Sequence, residues 1–145
     1  MPSPFEAPPS LADIEELAQE AYADLPAVLA ERCQGLVIRV EDFPDEEIVA
    51  EMELESPFDL AGLYQGVPLT HKEISNPAPG VDMVFLYRRP LLDWWCEEAV
   101  DLAVLIRHVL IHEIGHHFGF SDAEMERLED GPTGAASSPG DYHKN

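Results

Sequence analysis

The eleven residues HEIGHHFGFSD, from His112 to Asp122, carry three histidines and two acids in an otherwise apolar part of the chain. His112 and His116 are four residues apart, which in a helix places them one turn apart and about 40° around the axis. Both imidazoles can therefore reach a point about 2 Å from each nitrogen, as a zinc ion requires. Glu113 is displaced sideways, where its carboxylate can hold a water beside the ion without being a ligand. We predict a zinc site with Glu113 as its catalytic base.

A third ligand is predicted just after these two histidines. Gly119 lies three residues after His116 and can end the helix in a left-handed conformation that turns the chain back. The turn then delivers Asp122 to the ion as the third ligand. An alternative role for Asp122 is structural, because Ser121 or Asp122 can cap the helix that begins at this point.

Four other side chains near the motif have weaker claims to a role. Glu124 and Glu126 are alternative third ligands, since a downstream helix can also present a glutamate to the ion. His108 lies one turn before His112, and we expect it to be a buried histidine that supports the site rather than a residue facing substrate. His117 is expected to pack elsewhere.

The element that must position these residues is a long helix. The stretch from Glu97 to Gly119 has no helix breaker before Gly115, and we predict one helix over its whole length. Its apolar residues nearly encircle the axis, which predicts a central, buried helix. They are Leu102, Leu105, Ile106, Val109, Leu110, Ile111 and Ile114.

Shorter elements are predicted before this helix, and together they indicate an α+β class. Strands are expected at 36–40 and 82–88, a short irregular strand or hairpin arm at 61–69, and helices from Ser10, from Pro26 and within 44–54. The domain organisation expected is a proline-rich disordered tail at 1–9, one domain at 10–129, and a disordered Gly/Ser/Pro tail at 130–145.

Composition restricts the partners of this domain. The chain has 29 acids against 8 bases, a formal net charge of −21, yet 46% of its residues are apolar, so we expect a folded domain with an acidic surface. Such a surface repels nucleic acid and anionic lipid and favours basic partners or cations. No membrane span, a monomer and a cytoplasmic location are expected. Cys33 and Cys96 are expected to be free thiols that pack as small apolar side chains.

Three segments resemble one known family. These segments are LAGLYQGVPL, which ends at Leu69, FLYRRPLL, which begins at Phe85, and VLIHEIGHHFGFSD, which begins at Val109. They are similar to segments of the small, acidic, bacterial zincin-like metallopeptidases with a minimal zincin fold. The resemblance covers the region from about Leu36 to Leu128. It implies a small mixed sheet packed against the central helix and flanking helices. It also implies a single zinc ion at the helix that carries His112.

If the zinc site is catalytic, the resemblance implies hydrolysis of peptide bonds, with Glu113 moving the proton from the attacking water to the leaving amine. His71, His108 and Tyr87 are candidates for the electrophile that stabilises the oxyanion. The strand at 82–88 is our candidate for binding an extended peptide along its edge. The acidic surface favours basic or unstructured peptide substrates.

Two other functions fit the same residues. The first is a non-enzymatic acidic interaction protein in which zinc is structural and closed by four protein ligands. The second is a zinc hydrolase that acts on a non-peptide amide. An open coordination position would separate both hydrolases from the structural site.

Overall fold

The structure, a computed structural model, describes residues 7–66 and 82–130. The described chain contains six α-helices and three strands, and the last three helices follow one another after the last strand, which agrees with the predicted α+β class. The α-helices are α1 (Leu11–Ala23), α2 (Ala27–Ala30), α3 (Glu46–Glu51), α4 (Arg88–Glu98), α5 (Leu102–His117) and α6 (Asp122–Glu129). The strands are β1 (Val37–Glu41), β2 (Gly62–Gln65) and β3 (Met83–Tyr87), and a short 3₁₀ helix covers Pro57–Asp59.

The three strands form one mixed sheet in the order β1-β3-β2. β1 runs parallel to β3, with Val37 opposite Met83, and β2 runs antiparallel to β3, with Gly62 opposite Leu86. The prediction that the strand at 82–88 offers a free edge to a peptide is wrong, because β3 is hydrogen-bonded on both sides. Among the described strands, β1 and β2 form the edges.

One hydrophobic core lies between the sheet and the helices. Ile38, Val84 and Leu86 of the sheet belong to the same buried cluster as Ile14 of α1 and Ile111 of α5. The α1 helix begins as predicted, since the Ser10 hydroxyl oxygen accepts a hydrogen bond from the amide of Asp13 and the Asp13 carboxylate accepts one from the amide of Ser10. The apolar faces of α1 and α5 are thereby held on the sheet.

The long helix predicted from Glu97 is two helices. α4 begins at Arg88, directly after β3, and ends before Ala99, whose backbone is left-handed with φ 54°. Asp101 then caps α5 by accepting a hydrogen bond from the amide of Ala103. The prediction located the carboxyl-terminal part of this region correctly. It missed the break because an alanine at that position carries no breaker signal.

The burial of α5 is as predicted. All seven apolar residues named in the prediction are buried, and so are the polar residues His108, His112 and Glu113, while Val104 is exposed. The predicted short helix within 44–54 is α3, capped by Asp45, and the predicted strand at 61–69 begins as β2.

Several other expectations are only partly confirmed or only partly tested by the described residues. Both cysteines are free, but only Cys33 is buried; Cys96 is exposed and so does not pack in the core. Within the described residues, no helix has the length and apolar character needed to cross a membrane. Residues 1–6 and 131–145 of the predicted tails, residues 67–69 of the predicted strand, and His71 lie outside the described residues.

Candidate metal centre

The structure brings the three predicted ligands together. His112 and His116 lie near the end of α5, and Asp122 is the first residue of α6. One potential ligand atom from each residue lies within 4.8 Å of the other two. Nε2 of His116 and Oδ1 of Asp122 are 3.5 Å apart. His112 is buried while His116 and Asp122 are exposed, so the group opens to solvent on one side.

The turn between the two helices is the one predicted at Gly119. This residue has φ 82°, a left-handed conformation that glycine adopts at little cost. Its amide donates to the carbonyl of His116 at 3.1 Å, and the amide of Phe120 donates to the carbonyl of Gly115 at 2.9 Å. This pair of bonds is the Schellman motif. It ends α5 and sets the direction in which α6 leaves.

The capping of α6 decides between the alternative roles of its acids. Ser121 is the N-cap, and it forms a capping box with Glu124, whose carboxylate accepts the amide hydrogen of Ser121 at 2.8 Å. That hydrogen bond lowers the pKa of Glu124. Because Ser121 provides the cap, Asp122 is not needed for that role. The carboxylate of Glu124 is already engaged in the capping box. Glu126 belongs to neither group of metal-capable side chains found among the described residues.

A glycine lets α6 lie close to α5. A Cβ atom at Gly115 would clash with Sδ of Met125 and stand 2.8 Å from its Cγ. Met125 is fully buried, so it has no free space into which to move. Because Gly115 has no side chain, α6 can pack closely on α5, and the acids of α6 lie within reach of the histidines of α5.

Comparison with known proteins agrees with this geometry. A family model described as a zincin-like metallopeptidase matches residues 33–131, more than half of the chain. The chain belongs to the zincin-like metallopeptidase family. No match was found among curated proteins. The span confirms the resemblance seen in the sequence, and the fold agrees with a minimal zincin-like fold.

Family membership implies a zinc ion, and the donor set fits one. Two imidazoles and a carboxylate are common ligands of catalytic zinc. Two ligands about 2.1 Å from a tetrahedral ion stand about 3.4 Å apart. The separation of 3.5 Å between His116 and Asp122 matches this spacing and exceeds that of a good hydrogen bond. His116 and Asp122 can therefore accept zinc with little movement of either side chain.

A buried carboxylate that the sequence analysis missed also reaches this centre. Glu129, the last residue of α6, places Oε1 2.8 Å from Nε2 of His112 and Oε2 2.8 Å from Nδ1 of His108. Glu129 is only 7% exposed to solvent. Burial raises the pKa of Glu129, but the hydrogen bonds from His108 and His112 outweigh it and lower the pKa to about 2. The carboxylate is ionised, and both ring nitrogens donate to it.

Glu129 lies seventeen residues after His112, a spacing that matches no motif used to find zinc ligands. A weaker signal was present in α6. Asp122, Met125 and Glu129 recur at intervals of three and four, which places them on one helix face. Since Met125 points to the core, Glu129 had to lie near that face as well. A buried acid on such a face needs a partner.

Glu113 is held where α5 meets β2. It is 8% exposed. A Cβ atom at Gly62 of β2 would stand 2.7 Å from Cγ1 of Val109 and 3.4 Å from Cγ of Glu113. The first distance is too short for a real side chain, so glycine is what allows β2 to pass over α5 at this point. The edge strand of the described sheet therefore lies beside the predicted base.

The remaining histidines and the tyrosine have other surroundings. His117 stacks on Tyr64 with ring centroids 3.9 Å apart, which confirms that it packs away from the motif. His108 is 5% exposed and bonded to Glu129, as expected of a supporting histidine. Tyr87 is fully buried, and burial raises its pKa. Neither His108 nor Tyr87 is placed to meet substrate as the oxyanion electrophile.

Proposed function

We propose that this protein is a zinc-dependent peptidase with one zinc ion held by His112, His116 and Asp122. The observation that carries the proposal is the convergence of these three side chains at a position open to solvent, with the buried Glu113 directly following His112 on α5. The spacing between His116 and Asp122 suits tetrahedral zinc. Three protein ligands leave a fourth position for the reaction.

The chemistry follows from these residues. A zinc ion bound there would lower the pKa of water to about 7 and polarise a carbonyl group. Glu113 takes the proton of the attacking water and passes it to the leaving amine nitrogen. Because Glu113 is buried, its carboxylate interacts strongly with nearby charge.

Substrate binding is assigned to β2. This strand is an edge of the described sheet and passes close to Glu113 at Gly62. An extended peptide can add to such an edge through main-chain hydrogen bonds, with alternate side chains directed to either side. The net charge of −21 favours basic or unstructured peptides through long-range attraction.

A structural zinc site is the second candidate, and Glu129 is the observation that favours it. Its Oε1 lies 2.8 Å from Nε2 of His112. If this oxygen became a fourth ligand beside His112, His116 and Asp122, the ion would have no position for water. The protein would then be an acidic interaction protein whose zinc stabilises the packing of α5 on α6.

Inhibitor binding tests the peptidase proposal. A simple peptide hydroxamate is titrated against the zinc-loaded protein and the metal-free protein, while mixed unstructured peptides are screened for cleavage that a chelator blocks. We expect the hydroxamate to bind only the zinc-loaded form, because its oxygens need an open position on the ion. We also expect chelator-sensitive cleavage.

The outcomes separate the candidates. Absence of hydroxamate binding to either form, together with four protein ligands by X-ray absorption, would support the structural site. Hydroxamate binding without cleavage would indicate an open zinc site whose substrate is another amide. The peptidase proposal requires both results.

A further inference from the structure

Three histidines of α5 form a ladder of two overlapping pairs, each with the spacing of metal ligands. His108, His112 and His116 occur at intervals of four, so each successive pair lies one turn apart on nearly the same face. The ring centroids of His108 and His112 are 4.1 Å apart. The spacing that makes His112 and His116 a suitable pair for zinc is thus repeated one turn earlier.

Helix α6 provides one acid for each pair. Asp122 at its start lies 3.5 Å from His116, whereas Glu129 at its end lies 2.8 Å from both His108 and His112. These acids are seven residues apart, or two turns, so they lie on the same face of α6. Two sets of two histidines and one acid therefore stand side by side and share His112.

We propose that His108, His112 and Glu129 form a second metal site, which competes with the first site for His112. Two imidazoles and a glutamate are a recognised donor set for zinc. A neutral imidazole offers one nitrogen lone pair, because its other nitrogen carries the proton. His112 consequently holds one ion at a time, and the chain binds one ion in either of two positions.

The geometry requires little change to accept an ion. The two nitrogen–oxygen separations of 2.8 Å are hydrogen-bond distances, and they must widen by about 0.6 Å for ligands around tetrahedral zinc. For each ring to bind the ion as a neutral imidazole, the proton on the nitrogen that faces Glu129 moves through solvent to the other ring nitrogen. Arg107 also donates to the carbonyl oxygen of Glu129 at 3.2 Å, which anchors the end of α6.

The two sites differ in access to solvent. The side chains of His108, His112 and Glu129 are 7%, 10% and 7% exposed, whereas those of His116 and Asp122 are 42% and 68% exposed. An ion in the buried site is shielded from substrate by the α5–α6 interface. Such an ion would not catalyse hydrolysis, a conclusion that rests on the proposed peptidase function. The existence of the second site does not rest on that function.

Metal stoichiometry of selected variants tests the second site. In the double variant His116→Ala with Asp122→Ala the first site is removed, and both positions are exposed enough for the fold to survive. We expect it to retain one zinc or cobalt ion per chain after desalting, but to bind no hydroxamate. Adding Glu129→Gln to this double variant should remove the ion, and His112→Ala alone should remove it as well.

Each result has a definite meaning. Loss of all metal from the double variant, while Glu129→Gln alone keeps one ion, would overturn the second site and leave the first. Full metal in the double variant but none in Glu129→Gln would retain the second site and overturn the first. Circular dichroism and cobalt absorption spectra establish that each variant is folded and how its ion is coordinated. The decision rests on the exposed double variant even if a buried substitution fails to fold.

Discussion

At the scale of single residues, the three ladder histidines share a spacing but differ in their partners. His108 and His112 are buried and meet Glu129, whereas His116 is exposed and faces Asp122. Burial of a polar side chain without a partner costs about 1–3 kcal/mol. The ionised Glu129 removes this cost for two imidazoles at once. A metal ion would remove it in the same way, which is why both uses fit this cluster.

The role of Glu113 gives the residue-scale prediction. In Glu113→Gln the side chain keeps its size and burial but cannot accept a proton. We expect this variant to retain fold and zinc while any hydrolysis falls by at least about 100-fold. Zinc content and chelator-sensitive cleavage are measured together.

Glu126→Gln is the matched control for this change. It removes the same charge from an exposed position on α6 that belongs to neither candidate metal group within the described residues. We expect it to cleave like the unmodified protein. Loss of zinc from Glu113→Gln would instead make Glu113 a ligand and contradict its assignment as the base.

At the scale of secondary structure, the site depends on how α5 ends. The residues after His116 form a Schellman motif around Gly119, and the next helix starts almost at once. This short connection fixes α6 against α5, with Gly115 and Met125 in contact between them. The acids at both ends of α6 are therefore positioned by one glycine turn and one close helix contact.

Replacing Gly119 tests this dependence. Gly119→Ala puts a Cβ on a left-handed residue, which costs about 1–2 kcal/mol, although no atom stands within 4 Å of the new carbon. We expect both a lower free energy of unfolding and weaker zinc binding, because α6 is reoriented. Chemical denaturation and competition with a chromophoric chelator measure the two effects.

Gly35→Ala is the control for strain alone. Gly35 has φ 80° and also has no atom within 4 Å of an added Cβ, but it precedes β1 and lies outside the α5–α6 turn. A similar loss of stability with unchanged zinc affinity is expected. Equal loss of zinc affinity in the two variants would mean that general destabilisation, and not the α5–α6 turn, controls the site.

At the scale of the whole molecule, the acidic surface surrounds a small core. A net charge of −21 on 145 residues repels itself in the compact state. The same charge attracts cations and basic peptides, so it assists both metal loading and the proposed substrate class. Stability and function therefore depend on ionic strength in opposite directions.

The expected effect of ionic strength on stability can be measured with the zinc-saturated protein. Raising sodium chloride from about 10 mM to about 150 mM shortens the screening length from about 30 Å to about 8 Å. We expect Tm to rise, by about 4 °C for each kcal/mol of repulsion that is screened. Potassium chloride should give the same curve, since screening depends on ionic strength. A Tm that falls with salt would show that attractive charge pairs outweigh the net repulsion.

Much of the molecule was predictable from the sequence alone. The i, i+4 histidines, the glycine turn and the acid six residues after His116 are local features, so their spacing predicted the convergence of His112, His116 and Asp122. The apolar residues of α5 predicted its burial, and the motif identified the family. Each of these inferences depends on contacts between residues that are near in sequence, where helix geometry fixes distances.

Features that depend on distant contacts were decided only by the tertiary structure. β3 became the central strand because two separate segments pair with it, and no pattern within β3 encodes its neighbours. Ala99 took a left-handed backbone that its residue type does not favour, so α4 and α5 separated where one helix was predicted. Glu129 reached His108 and His112 because α6 folds back along α5. The packing of one helix on another, not local spacing, placed this carboxylate in the metal centre.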